Sequence, residues 1–231
     1  MADKEIERIR QVYEGRIAAG VIERYAPDRP GERYLLERRE SEILALLARR
    51  KSLDLATAHI LEVGCGRGDR LADWLKWGAA GSRLSGIDLM EPFLAEARKR
   101  LPQASLAAAS GDRLPFADAS FDIVSQLTVF TSILDQGLKQ RIAAEMRRVL
   151  KPGGFILWFD FRYPSPRNRD VRPVGRREIA ALFPEARIDL KSVTLLPPLA
   201  RRLAPVSPAL CRILEALPFL RSHYLAAITP D

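Results

Sequence analysis

Histidine and cysteine are scarce in this chain, with two of each in 231 residues. The cysteines, Cys65 and Cys211, stand far apart and are too few for a disulfide framework, so a reduced, cytoplasmic setting is expected. His59 and His223 form no pair at metal-ligand spacing, and no zinc or other metal site is expected. No stretch of 18 uninterrupted apolar residues occurs, which leaves no candidate for a membrane-spanning helix. The opening Met-Ala-Asp-Lys-Glu-Ile-Glu lacks the basic head and apolar run of a secretory signal. Repeats and low-complexity tracts are missing too. What remains is a globular composition, 47% hydrophobic and 29% charged, in a chain long enough for one sizeable core.

Acidic residues are outnumbered. Lys and Arg total 37 against 29 Asp and Glu, for a net charge of +8. Basic chains invite a nucleic-acid reading. Here the basic residues run along the whole chain, with a partial concentration at Arg162, Arg167, Arg169, Arg172, Arg176 and Arg177. No interleaved aromatic and basic residues accompany it, as a single-strand platform would require. A solvated basic face is the simplest account. An acidic small substrate, a membrane surface or a nucleic acid are the partners that the charge leaves open.

Against these absences stands one dense segment, residues 60–68, Ile-Leu-Glu-Val-Gly-Cys-Gly-Arg-Gly. An apolar strand runs into three alternating glycines, and a helix-like stretch follows over residues 69–77. Strand, glycine turn and helix in that order form a nucleotide-binding βα unit. The acidic Glu62 inside the strand suits a ligand carrying an ammonium or sulfonium better than one carrying a pyrophosphate. A second short strand, residues 84–90, brings Asp88 about 20 positions beyond the turn, where a carboxylate can accept from both ribose hydroxyls. The same residue can cap the helix over 91–101. A third segment, Ser-Gly-Asp-Arg-Leu-Pro-Phe over 110–116, precedes Phe-Asp-Ile-Val over 121–124. A fourth, residues 145–154, ends in Lys-Pro-Gly-Gly before an apolar strand to Phe161.

These four segments, in register over residues 60–161, resemble the class I S-adenosylmethionine-dependent methyltransferases, of the type 11 kind found in bacteria. The resemblance implies S-adenosylmethionine as cofactor and S-adenosylhomocysteine as product. It implies cofactor contacts at Glu62, Gly64, Cys65 and Gly66 in the first segment, and at Asp88 and Leu89 in the second. It also implies that Asp112 accepts from the adenine amino group, that the Arg113 backbone meets the ring edge, and that Gln126 meets the methionine part. Many relatives carry Glu-His or His-His after the fourth strand; this chain has Thr131 and Ser132 there, hydroxyls without a base. The candidates left for a catalytic group are His223, opening the last strand, and Tyr163, just after the fifth. Arg162 beside it can hold an acceptor carboxylate, phosphate or sugar.

Elsewhere the chain alternates strands and helices from residue 58, which predicts a parallel sheet covered on both faces. Strands are expected near 58–63, 83–88, 104–108, 121–126, 154–161, 186–195 and 223–229. The resemblance implies that the last inserts antiparallel beside the fifth, giving an α/β, doubly wound, Rossmann-like sheet of seven strands with N-terminal helices. Residues 1–55 are expected as a helical cap, with Tyr25, Tyr34 and Arg38 as pocket candidates. Residues 56–231 are expected as the cofactor-binding domain, with 195–221 as an insertion that serves as a lid or meets a membrane. The function implied is methyl transfer to a small molecule, O-methylation of a glycan or secondary metabolite first. An RNA or protein acceptor on the basic surface is one alternative, and a non-catalytic cofactor-binding module another.

Overall fold

A computed structural model describes residues 2–20, 28–50, 53–165 and 168–230. Tyr25 and Arg167, named above, lie outside them. Two helices lead, α1 (Ala2–Ala18) and α2 (Pro30–Ala48). Proline at the start of α2 has the φ a first helical turn needs and lacks only an N–H that would go unpaired there.

The alternation follows as expected: β1 (Ile60–Val63), α3 (Asp69–Lys76), β2 (Leu84–Asp88), α4 (Glu91–Arg100) and β3 (Ser105–Ala108). Next come β4 (Phe121–Leu127), α5 (Gln136–Val149), β5 (Leu150–Phe161), α6 (Arg176–Leu182) and β6 (Arg187–Leu195). The chain closes with α7 (Pro197–Leu203), α8 (Pro208–Glu215) and β7 (Arg221–Thr229). The strands form one sheet in the order β3-β2-β1-β4-β5-β7-β6. Six run in the same direction, and β7 alone runs antiparallel, between β5 and β6.

Both faces of the sheet are buried, so its inner strands are apolar almost throughout. Leu61, Val124, Ile156 and Ile228 form one row across four strands, packed under α5 and α6. Ile60, Ile123 and Phe155 form the row on the opposite face, with Leu71 and Trp74 of α3. This two-sided burial is why the strands were legible as short apolar runs.

One element differs from expectation. Lys-Pro-Gly-Gly, expected to lie before the strand, lies within β5: Leu150 pairs with Phe121 and Phe155 with Ile123, so the residues between bulge out. Gly153, at φ +78°, takes the left-handed conformation that this bulge needs. Within the proline-rich stretch between β6 and β7, residues 197–203 form a helix, with Pro197 and Pro198 beginning α7.

The N-terminal helices also part company. α1 lies against α5, whereas α2 packs on α7, β6 and β7. Tyr34 and Arg38, expected at the pocket, instead clamp α2 to α8. The Tyr34 hydroxyl donates to Glu215 Oε2 at 2.7 Å, and Arg38 Nε donates to the same carboxylate at 3.2 Å. Desolvation and the neighbouring carboxylate push the tyrosine's pKa up, so it stays a donor.

Candidate functional site

The strand order reverses between β1 and β4, and β1, β2 and β4 all end at the same edge. Ligands of open α/β sheets bind outside such carboxyl ends. A cavity of about 220 Å³ sits there.

Its floor is the glycine turn. Gly64 has φ +73°, and a Cβ built on it would lie 2.5 Å from Val129 Cγ2. The amides of Gly64 and Cys65 both donate to Ile87 O, at 2.8 and 2.9 Å, which pins the turn to β2. Gly66 has φ +53°, and a Cβ there would meet nothing within 4 Å. Its N–H donates to Asp88 Oδ2 at 2.8 Å, while Asp88 Oδ1 accepts from Met90 N at 2.9 Å. One carboxylate thus ties the turn to the approach of α4. Burial raises the Asp88 pKa, and backbone amides of Met90, Gly66 and Leu89 hold the rise back.

The walls are mostly apolar. Leu89, Met90 and Phe93 supply one side, Ala109 to Gly111 another, and Leu138 and Ile142 of α5 a third. Gly111 is required by closeness: a Cβ there would lie 3.2 Å from Val63 and 3.3 Å from Ile142. After β4, Thr128 (φ +63°) turns the chain so that Val129, Ser132 and Ile133 face the cavity.

α1 supplies the remaining wall. Ile6, Ile9 and Tyr13 share one helical face and line the cavity. Polar ties hold the helix in place: Arg8 Nη2 donates to Ser132 O at 2.8 Å, and Glu5 Oε1 accepts from Leu134 N at 2.5 Å. The Tyr13 and Ser132 hydroxyl oxygens are 3.4 Å apart. Among the described residues, Asp88 and Tyr13 are the titratable groups along the cavity.

Residues 61–158 match the family model described as a methyltransferase domain. A probable S-adenosylmethionine-dependent methyltransferase of Mycolicibacterium smegmatis is 32% identical over 165 residues, covering 69% of this chain and 59% of that protein. A demethylmenaquinone methyltransferase of Chlorobaculum parvum is 39% identical over 97 residues, covering 41% and 37%. The solved 1,6-didemethyltoxoflavin-N1-methyltransferase of Burkholderia thailandensis superposes with a TM-score of 0.63 at 19% identity, covering 100% and 90%. Residues 61–158 are a methyltransferase domain of the class I S-adenosylmethionine-dependent kind. It spans between 37% and 61% of the length of the curated relatives it matches.

The residues that the family resemblance singles out divide by position. Gly64, Gly66, Asp88 and Leu89 line the cavity. Asp112 and Arg113 stand behind it: the Asp112 carboxylate accepts from Ser110 Oγ at 2.5 Å and Arg141 Nε at 3.3 Å, and Arg113 N donates to Ser110 O at 3.1 Å. Cys65 turns its thiol to the far face, where a Cβ on Gly86 would lie 2.8 Å from Sγ. Burial pushes that thiol's pKa up.

Whether a methyltransferase cofactor suits the cavity can be judged from polar atoms left over. Glu62 Oε2, Gln126 Nε2 and Arg39 Nη2 are buried without a hydrogen-bond partner among the described residues. Glu62 and Gln126 sit at the ends of β1 and β4. Arg39 lines a small cleft that meets the main cavity at Leu127. Burial raises the Glu62 pKa well above the usual carboxylate range, with Arg70 and Arg39 opposing. Burial brings the Arg39 guanidinium down to about 9. Unpaired buried polar groups of this kind each cost about 1–3 kcal/mol. None of the three lines the main cavity; at its margin they offer one acceptor and two donors, which match the ammonium and carboxylate of an amino acid, the part that the cofactor carries. The residues fit the group.

The expected catalytic candidates stand elsewhere. His223 is buried on β7, its Nδ1 2.7 Å from Thr194 Oγ1 and 2.8 Å from Ser222 Oγ, stacked on Phe159. Burial lowers its pKa to about 3, leaving a neutral, structural ring. Tyr163 donates its hydroxyl to Phe219 O at 3.1 Å. Neither lines the cavity, and neither does any residue of 195–221. Thr131 donates to Arg172 O at 3.0 Å and so serves the following loop, while Ser132 faces the cavity.

Proposed function

We propose that this chain transfers the methyl group of S-adenosylmethionine to a small, largely apolar molecule. The observation that carries the reading is the cavity at the carboxyl edge, floored by two left-handed glycines and buttressed by Asp88. Asp88, with lone pairs beyond its two backbone bonds, would take the ribose hydroxyls. The apolar walls at Leu89, Ala109 and Ile142 would take the adenine. Glu62, Gln126 and Arg39 would take the amino-acid end.

When bound, the cofactor supplies a methyl group already activated by a sulfonium. The chain's own part is then to exclude water and to hold the acceptor in line. α1 supports both, because its apolar face closes the cavity over Ser132 and Ile133. With no histidine, lysine or cysteine thiol along the cavity among the described residues, an acceptor is favoured that brings its own nucleophile. An acidic phenol or enol, or an amine, meets that need; an aliphatic sugar hydroxyl does not. O-methylation of an acidic hydroxyl therefore stands first. The names of two relatives, a demethylmenaquinone and a toxoflavin methyltransferase, support a flat ring as acceptor.

Calorimetric titration of S-adenosylhomocysteine into the chain and its Asp88→Ala variant tests the cofactor half. Micromolar binding that the variant loses is expected; no binding by the intact chain would sink the reading. Incubation with labelled donor and a panel of phenols, quinols, nitrogen heterocycles and sugars tests the acceptor half. Label appearing on sugars alone would refute it.

A further inference from the structure

Seven large hydrophobic side chains are exposed among the described residues, and five of them fall in residues 206–219. Val206, Leu210, Ile213 and Leu217 recur at spacings of four, three and four, a stripe along one side of α8 and its flanks. Val206 is 83% exposed, Ile213 67% and Phe219 63%. The inner side of α8 is already satisfied, since Cys211 is buried against Tyr34 and Leu195, and Glu215 is held by Tyr34. A contiguous outward stripe on a helix packed from behind is surplus to the fold.

The patch is held firmly. Tyr163 donates to Phe219 O, Arg162 Nη1 donates to Pro218 O at 3.0 Å, and Leu196 N donates to Leu220 O at 2.8 Å. Because β6 runs parallel to β5, the segment between β6 and β7 emerges at the carboxyl edge that bears the cavity. Two to three strand spacings, roughly 10–15 Å, separate it from the end of β4.

Charge selects the occupant. Residues 196–221 contain four arginines and one acid, and that acid, Glu215, is buried. Arg202 and Arg212 are exposed, and they make no ion pair among the described residues. Arg169 and Arg172 add exposed positive charge in the loop after β5, at the same edge. A second copy docking symmetrically would set one arginine rim against another. An anionic bilayer accepts both features at once: apolar side chains enter the acyl boundary while arginines meet lipid phosphates. No described helix is long and apolar enough to cross a membrane, so contact would be at the surface.

We propose that α8 and the Pro218–Leu220 turn form a peripheral docking face for anionic membranes, at the same sheet edge as the cavity. This docking does not depend on which acceptor is methylated, since it is read without cofactor or acceptor. The test is co-sedimentation of the full chain with two kinds of vesicle: pure phosphatidylcholine, and phosphatidylcholine carrying about a quarter phosphatidylglycerol. Binding to the anionic vesicles, weakened by salt, is expected. It should fall about tenfold or more in an Ile213→Ser, Phe219→Ser variant, because two apolar anchors are lost. A Leu44→Ser, Leu75→Ser variant, altering exposed apolar residues outside the patch, should bind as the parent does. A Phe219→Trp variant gives a gain-of-signal reading: its emission should shift blue with anionic vesicles. Equal binding to both vesicles, or none, overturns the proposal, as does an unshifted emission. So does a self-association, seen by sedimentation velocity, that the Ile213→Ser, Phe219→Ser variant abolishes.

Discussion

The two glycines under the cavity should respond differently to alanine, and the difference separates folding from binding. Gly66 has φ +53°, and its added Cβ would meet nothing. Gly66→Ala therefore carries only the left-handed cost, about 1–2 kcal/mol. For a chain of this size that lowers Tm by roughly 2–8 °C. Its methyl group points into open space where a ligand would meet the backbone, so cofactor affinity should fall at least about tenfold. Gly64 has φ +73°, and its Cβ would sit 2.5 Å from Val129 Cγ2. Val129 yields poorly, because its amide is held by Gln126 Oε1 at 3.0 Å. Overpacking adds about 1–3 kcal/mol, so Gly64→Ala should lose ~2–5 kcal/mol in all. Urea denaturation of both variants, with calorimetric titration of S-adenosylhomocysteine, measures both quantities. A Gly66→Ala variant that binds within twofold of the parent would refute the placement of the cofactor. A Gly64→Ala variant no less stable than Gly66→Ala would refute the contact with Val129.

Asp160, fully buried, accepts from Thr131 N at 3.1 Å, and burial raises its pKa to about 7. A raised carboxyl binds its proton more tightly in the folded chain, so stability is greatest below pH ~4 and falls by up to about 4 kcal/mol as pH rises through 7. Asp160→Asn should flatten the urea midpoint across that window; an unchanged slope would contradict the burial argument. Glu215→Gln weakens the carboxylate bond to Tyr34 and leaves Arg38 paired with Glu42 alone, and should cost about 1.5–3 kcal/mol by chemical denaturation. Glu5 has its pKa lowered, first by the hydrogen bond from Arg8, so its contribution is present above the usual carboxylate pKa and lost as pH falls through the lowered value. Glu5→Gln should speed hydrogen exchange in α1 at pH 7 and leave the exchange of β4 and β5 unchanged.

Much of the fold was readable because parallel strands buried on both faces are short apolar runs between breakers. Ile60–Val63, Leu84–Asp88 and Phe121–Leu127 all have that form. The misread element turns on proline and glycine, whose meaning depends on context. Lys-Pro-Gly-Gly read as a turn before the strand and forms a bulge inside β5, while Pro197 and Pro198 begin a helix. Composition gives no handle on that choice, since both residues permit both outcomes.

At the site, legibility followed the backbone. Gly64, Gly66 and Asp88 were visible because a sharp turn and its buttress need particular residue types at particular spacing. Ile6, Ile9 and Tyr13 recur at helical spacing in the sequence, and such a stripe does not say what it covers. Once α1 is seen on the cavity, the apolar stripe and the missing base have one explanation. A helix that lays Ile6 and Ile9 along the cavity limits the solvent into which an acceptor's proton could leave. On the proposed reading, an apolar cavity with no histidine or lysine among the described residues would favour acceptors that ionise, or are neutral amines, before they enter. The scarcity of histidine in the sequence is in keeping with the acceptor class proposed above.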